Sequence, residues 1–117
     1  MTEAFVLGGV RTPFARYGSS LSHIRTDDLL GMTMKGACER VGVELGAIED
    51  VVAGCVNPAH EGMGDVARWA ALAAGFPDTV AGTTINRFCG SSLSATINVA
   101  HAIRAGDLGV GMACGVE

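Results

Sequence analysis

A chain of 117 residues is long enough for one domain, or part of one, and at 49% hydrophobic against 17% charged it can bury a core. A net charge of -4 with a pI near 5.2 excludes the broad basic face that nucleic-acid binding requires. The acidic residues do not gather into a tail, so they read as a solvated surface.

The first apolar run, Ala4 to Val10, is too short to span a membrane and has no basic segment before it. It is expected to be neither signal peptide nor membrane helix, which makes a cytoplasmic location the default. As a continuous apolar run it predicts a strand buried on both faces, as in a parallel sheet. Arg11-Thr12-Pro13-Phe14 leaves that strand, because Pro13 cannot donate to a ladder. Residues 15–22, rich in Gly and Ser, read as a loop that Arg11 pins through backbone carbonyls. Thr26 or Asp27 can cap the next helix, where Asp27 and Asp28 suit the positive end of the dipole. Leu30, Met34, Ala37 and Val41 recur at helical spacing, and Gly42 is a natural stop.

Val43 to Ile48 connects to a second short buried strand, Val51 to Val56, which Asn57-Pro58 breaks. Residues 59–64 form a polar loop. Asp65 can cap a short helix from Val66 to Ala74, closed by Gly75 with Pro77 beyond. Trp69 and Leu72 share a face of it and are expected to pack. A β-branched strand, Thr83 to Arg87, follows. A long helix then starts at or just after Cys89, runs to about Arg104 and stops at Gly106. Its apolar residues cover most of its circumference, which predicts burial all round. Leu108 to Cys114 is the last strand. The alternation predicts an α/β fold with a mainly parallel sheet, whose ligands would bind beyond the carboxyl ends of the strands.

Four cysteines are present: Cys38, Cys55, Cys89 and Cys114. None forms a C-x-x-C pair or stands beside a His at zinc spacing, so no metal site is expected. Cys38, Cys55 and Cys114 read as small buried hydrophobes. Cys89 alone falls at a strand-to-helix junction, where unpaired N–H groups and the helix dipole favour an anion. Both would favour a thiolate, which can attack a carbonyl or thioester carbon. A base for it is harder to find. His101 is twelve positions on along the same helix, about 18 Å away by the helical rise, and nothing in the sequence selects His23 or His60. The glycines of Gly109 to Gly115 lie in a strand rather than between strand and helix, so they are not a dinucleotide loop.

Asn86-Arg87-Phe88-Cys89-Gly90-Ser91-Ser92-Leu93-Ser94-Ala95 resembles the nucleophile signature of the thiolases. The likeness runs along the whole chain. Val10 to Phe14 resembles the family's opening strand and loop. Gly54-Cys55-Val56 with Ala67-Arg68 resembles its second strand and helix. Ala73 to Pro77 resembles the approach to the nucleophile strand, and Ala113 to Glu117 resembles the strand after the nucleophile helix.

The resemblance implies the N-terminal part of one βαβαβαβ half of the thiolase fold, residues 1–117 ending mid-domain, with the nucleophile helix buried. It implies an acyltransferase on coenzyme A thioesters, with Cys89 attacking the keto carbon of a 3-ketoacyl-CoA and keeping the shortened acyl group. The reverse reaction is a Claisen condensation. Coenzyme A is then a substrate rather than a bound cofactor, and residues that bind it are not identified. Ser92, where many thiolases carry Gly, is similar to the fatty-acid-oxidation branch and tilts the reading toward degradation. The family's Gly-His-Pro histidine and second, Cys-x-Gly cysteine are absent from this sequence. The chain alone is therefore expected to lack turnover and to need the rest of the polypeptide or a complementary chain. Thr83 to Arg87 is the expected subunit contact of a homodimer or tetramer. The alternatives are a ketoacyl-synthase-like condensing enzyme and a non-catalytic lipid-binding or assembly subunit in which Cys89 is idle.

Overall fold

The computed structural model describes residues 2–117, in which three strands and three helices alternate. Helix α1 spans Thr26–Val41, strand β1 Asp50–Gly54, helix α2 Val66–Ala73, strand β2 Ala81–Ile85, helix α3 Ser91–Ala105 and strand β3 Gly111–Gly115. The sheet has the order β2-β1-β3 and both pairings are parallel. Their register puts Gly54, Ile85 and Gly115 level with one another at its carboxyl end. This is the α/β class with a parallel sheet that the alternation predicts.

Because side chains alternate along a strand, the sheet has two different faces. Val51 and Ala53 join Leu30, Met34 and Cys38 of α1 and Val66, Ala67, Ala70 and Ala71 of α2 in the main core. Val52 faces the other way, into a smaller cluster with Ala95 and Val99 of α3. The layers are thus α1 and α2, then the sheet, then α3. Small residues let the first two approach closely. A Cβ on Gly31 of α1 would stand 2.9 Å from the Ala70 carbonyl oxygen, and one on Gly82 of β2 would stand 2.7 Å from the Arg68 nitrogen.

The helix ends follow local chemistry. The Asp65 carboxylate caps α2 by accepting from the Arg68 N–H, and it also accepts the Thr84 hydroxyl at 2.6 Å, tying helix to strand. Gly42 and Gly106 close α1 and α3 in the left-handed conformation. Helix α1 has a different start from the expected one. Its cap position is Arg25, with no side-chain bond, and Asp27 instead pairs with Arg25 and accepts the Asp28 N–H. Arg11 donates to the carbonyl of its neighbour Thr12 and lies over the Phe14 ring, so these contacts fall short of the loop at 15–22 that it was expected to pin.

Several expectations are corrected. Residues 4–10 form no strand, and Phe5 is 75% exposed. A strand exists through its ladder. The nearest backbone bond among the described residues lies just ahead of this segment, from the Thr2 N–H to the Arg104 carbonyl. Helix α3 is not buried all round, since Leu93 is 66% and Ile97 42% exposed on the side away from the sheet. Trp69, at 55%, is also outside the core. The α2 backbone lies too close to Gly82 for an indole between them, so Ala67, Ala70 and Ala71 take the inner face. The strands are shifted: β1 ends before Cys55, β2 runs Ala81–Ile85 and ends two residues before Arg87, and β3 begins at Gly111 rather than Leu108. Glu49 explains the last shift, because its carboxylate accepts the Gly109 and Val110 N–H groups ahead of the ladder.

Two predictions follow from this packing. A Cβ on Gly54 would lie 2.5 Å from the Ser92 nitrogen. Gly54→Ala must push α3 off the sheet and should cost about 1–3 kcal/mol, read as a lower urea midpoint by circular dichroism. Burial also raises the thiols of Cys38 and Cys55, aided by the charges of Glu39 and Glu117, and pushes Cys114 up from 9.0 to about 12. These groups ionise at higher pH folded than unfolded. Their contribution is complete below about pH 9 and is lost as the pH rises toward 12. The urea midpoint should therefore fall as the pH is stepped from about 9 to about 11, and Cys114→Ala should flatten that fall.

Candidate active site

Cys89 lies just beyond the carboxyl end of β2, two residues before α3 begins, and it is an exposed free thiol. The turn that presents it is tight. Phe88 has a φ of 47°, in the left-handed region that a bulky side chain rarely adopts. Two side chains hold it there. Asn86 accepts the Phe88 N–H on Oδ1 at 2.9 Å and donates through Nδ2 to the Val56 carbonyl at 3.2 Å. Ser91, itself buried, donates its hydroxyl to the Phe88 carbonyl at 2.6 Å and accepts the Arg87 N–H at 2.9 Å. The backbone closes the same turn, with the Gly90 N–H on the Arg87 carbonyl and the Ser91 N–H on the Phe88 carbonyl. Such strain persists only where the surroundings over-determine it, and here six hydrogen bonds do so.

The start of α3 is pressed onto the sheet. Gly54 faces the Ser91–Ser92 backbone, and a Cβ on Gly115 would collide with the Ser92 hydroxyl. Side chains at either position would lift the helix and the cysteine with it. Among the described residues the Ser92 and Leu93 N–H groups have no acceptor, as is usual in the first turn of a helix. They and the helix dipole make the ground just after Cys89 electropositive.

Of the other cysteines, Cys38 and Cys55 are buried. The Cys114 thiol packs against Met34 Sδ at 3.8 Å and points to the Val52 carbonyl. They are core groups on the opposite side of the sheet from α3. The three histidines do not converge on Cys89. His23 is in the loop before α1, His60 opens a 3-10 turn at His60–Gly62 with φ 53°, and His101 is late on α3. Among the described residues no histidine is hydrogen-bonded to Cys89, and no group of His, Cys, Asp and Glu could hold a metal ion. Sequence reasoning left the roles of Asn86, Ser91, Gly54 and Gly115 unassigned. An Asn two residues before a turn residue and a Ser three after it are the available signals for the first two.

Known proteins share both sequence and fold with this chain. The family model of the thiolase N-terminal domain matches residues 4–117. A 3-oxoadipyl-CoA/3-oxo-5,6-dehydrosuberyl-CoA thiolase of Escherichia coli is 48% identical over all of this chain, which covers 29% of that protein. A β-ketoadipyl-CoA thiolase of Pseudomonas aeruginosa is 43% identical over 98% of the chain and 29% of its own length. A steroid 3-ketoacyl-CoA thiolase of Mycobacterium tuberculosis is 40% identical, again with 29% of its length covered. The chain thus spans less than a third of these relatives. Among solved structures, a thiolase from Ascaris suum in complex with coenzyme A superposes with a TM-score of 0.82 at 34% identity, over 90% of this chain and 27% of that one. An acetyl-CoA acetyltransferase of Bacillus anthracis gives 0.78 at 38% identity, over 86% and 25%. With a family model spanning nearly its whole length and solved thiolases superposing on its fold, this chain belongs to the thiolase family.

Proposed function

We propose that this chain supplies the acyl-accepting cysteine of a thiolase, an acyltransferase on coenzyme A thioesters. The observation that carries the reading is the exposed thiol of Cys89, presented by an over-determined turn at the foot of α3. Cys89 Sγ, as thiolate, attacks the keto carbon of a 3-ketoacyl-CoA. The bond between the keto carbon and the α-carbon breaks, and its electron pair leaves with acetyl-CoA once the α-carbon is protonated. The shortened acyl group stays on Cys89 as a thioester until the sulfur of a second coenzyme A takes it. The Cys89 backbone N–H is one donor to the oxyanion, where fixed dipoles act most strongly.

The relatives named for 3-oxoadipyl- and β-ketoadipyl-CoA favour the degradative direction, as does Ser92. The general base and most of the coenzyme A site come from polypeptide outside these residues. The setting is cytoplasmic and homo-oligomeric, with residues 83–87 at the subunit contact. No helix of the described residues is long and apolar enough to cross a membrane.

The test is a hybrid enzyme in which this chain replaces the matching segment of the Escherichia coli thiolase 48% identical to it. The hybrid should cleave 3-oxoadipyl-CoA in the presence of coenzyme A, and Cys89→Ser should lower kcat by at least about 10³-fold. Undiminished turnover in Cys89→Ser refutes the mechanism. An idle cysteine is separated from a nucleophile by iodoacetamide labelling against pH, since a primed thiolate labels far below the pH at which an ordinary thiol ionises. The 117-residue chain by itself should show no thioester cleavage, and measurable turnover would place the base within it.

A further inference from the structure

Beyond the nucleophile turn itself, the end of the chain holds that turn from a distance. The carboxylate of Glu117 accepts two backbone N–H groups, from Val56 at 3.0 Å on Oε1 and from Asn57 at 2.9 Å on Oε2. The Val116 N–H adds a bond to the Gly54 carbonyl at 3.1 Å. Together they clamp residues 54–57, where β1 has ended and the 57–64 loop begins. The Val56 carbonyl and the Asn57 N–H belong to one planar peptide unit. Glu117 holds that unit by its N–H, and the Asn86 amide holds it by its C=O at 3.2 Å. The two bonds reinforce each other, because a carboxylate on the N–H polarises the peptide and makes its oxygen a better acceptor.

Asn86 is aimed by this peptide. With Nδ2 committed to Val56, its Oδ1 is turned toward the Phe88 N–H, and that bond keeps Phe88 in the left-handed conformation one residue before Cys89. A continuous path therefore runs from the Glu117 carboxylate through the 56–57 peptide and Asn86 to the cysteine turn. Neither Glu117 nor Asn86 has a hydrogen bond to Cys89 Sγ among the described residues.

We infer that Glu117 is a positioning residue for Cys89, acting through the Val56–Asn57 peptide and Asn86. The inference rests on reading Cys89 as the nucleophile. Its charge matters as well as its shape. Gln at 117 offers one acceptor oxygen for two N–H groups and turns an NH2 toward the other.

The test is made in the hybrid enzyme with Glu117→Gln, Asn86→Ala and the double variant. Glu117→Gln should slow both kcat and iodoacetamide labelling of Cys89 by about 10-fold, with KM for the acyl-CoA within about twofold, at temperatures well below its melt. Asn86→Ala should slow labelling by a comparable factor. The double variant should be within about twofold of the slower single one, because both act on the same path. A Glu117→Gln enzyme that melts lower yet labels and turns over at the parent rate makes Glu117 merely structural and overturns the inference. So does a double variant whose losses multiply. If Glu117→Gln does not fold, an unchanged labelling rate in Asn86→Ala overturns the path on its own. Retained activity in Cys89→Ser would remove the nucleophile reading, while labelling would still report whether Glu117 sets the turn.

Discussion

The structure depends on how closely the first turn of α3 can sit on the sheet. Gly54 and Gly115, level on adjacent strands, leave no room for a Cβ beneath Ser91 and Ser92. The helix consequently lies over β1 and β3, although the chain reaches it from β2. Five residues between strand and helix must carry the backbone sideways across β1 as well as upward. That sideways step is the origin of the left-handed Phe88, a strain of order 1–3 kcal/mol that the bonds from Asn86 and Ser91 offset. The cysteine is exposed because the crossing happens at the rim of the sheet, beyond the last ladder bond.

The same sheet divides the four thiols between two environments. Cys38, Cys55 and Cys114 belong to the α1–α2 side, where small residues exclude water and desolvation holds the thiol protonated. Cys89 is at the end of the other layer, in water, next to helix N–H groups. This division suits the proposed role of Cys89, because buried, protonated sulfurs are inert beside an exposed one.

Much of this was legible in the residues. Asp65, Gly42, Gly75 and Gly106 mark helix ends because capping and left-handed closure are local, so their chemistry reads directly from the neighbouring positions. The place of Cys89 between a strand and a helix was readable for the same reason. What failed was non-local. Residues 4–10 have the composition of a buried strand, but composition cannot show whether a ladder partner is present. The apolar residues of α3 fill its circumference, yet only one side meets the sheet. Trp69 was expected to pack because it shares a helix face with Leu72, but the close approach of α2 to Gly82 selects alanine on the inner face. The braces on the cysteine turn needed the fold as well, since Val56 and Asn86 are thirty positions apart.

The exposure of Trp69 has a practical side. The chain has a single tryptophan and a single tyrosine, and Tyr17 is as solvated as Trp69 is outward-facing. Neither chromophore reports on the interior. Intrinsic fluorescence will register little when the core melts, and the optical signature of folding resides in the amide bands of three helices.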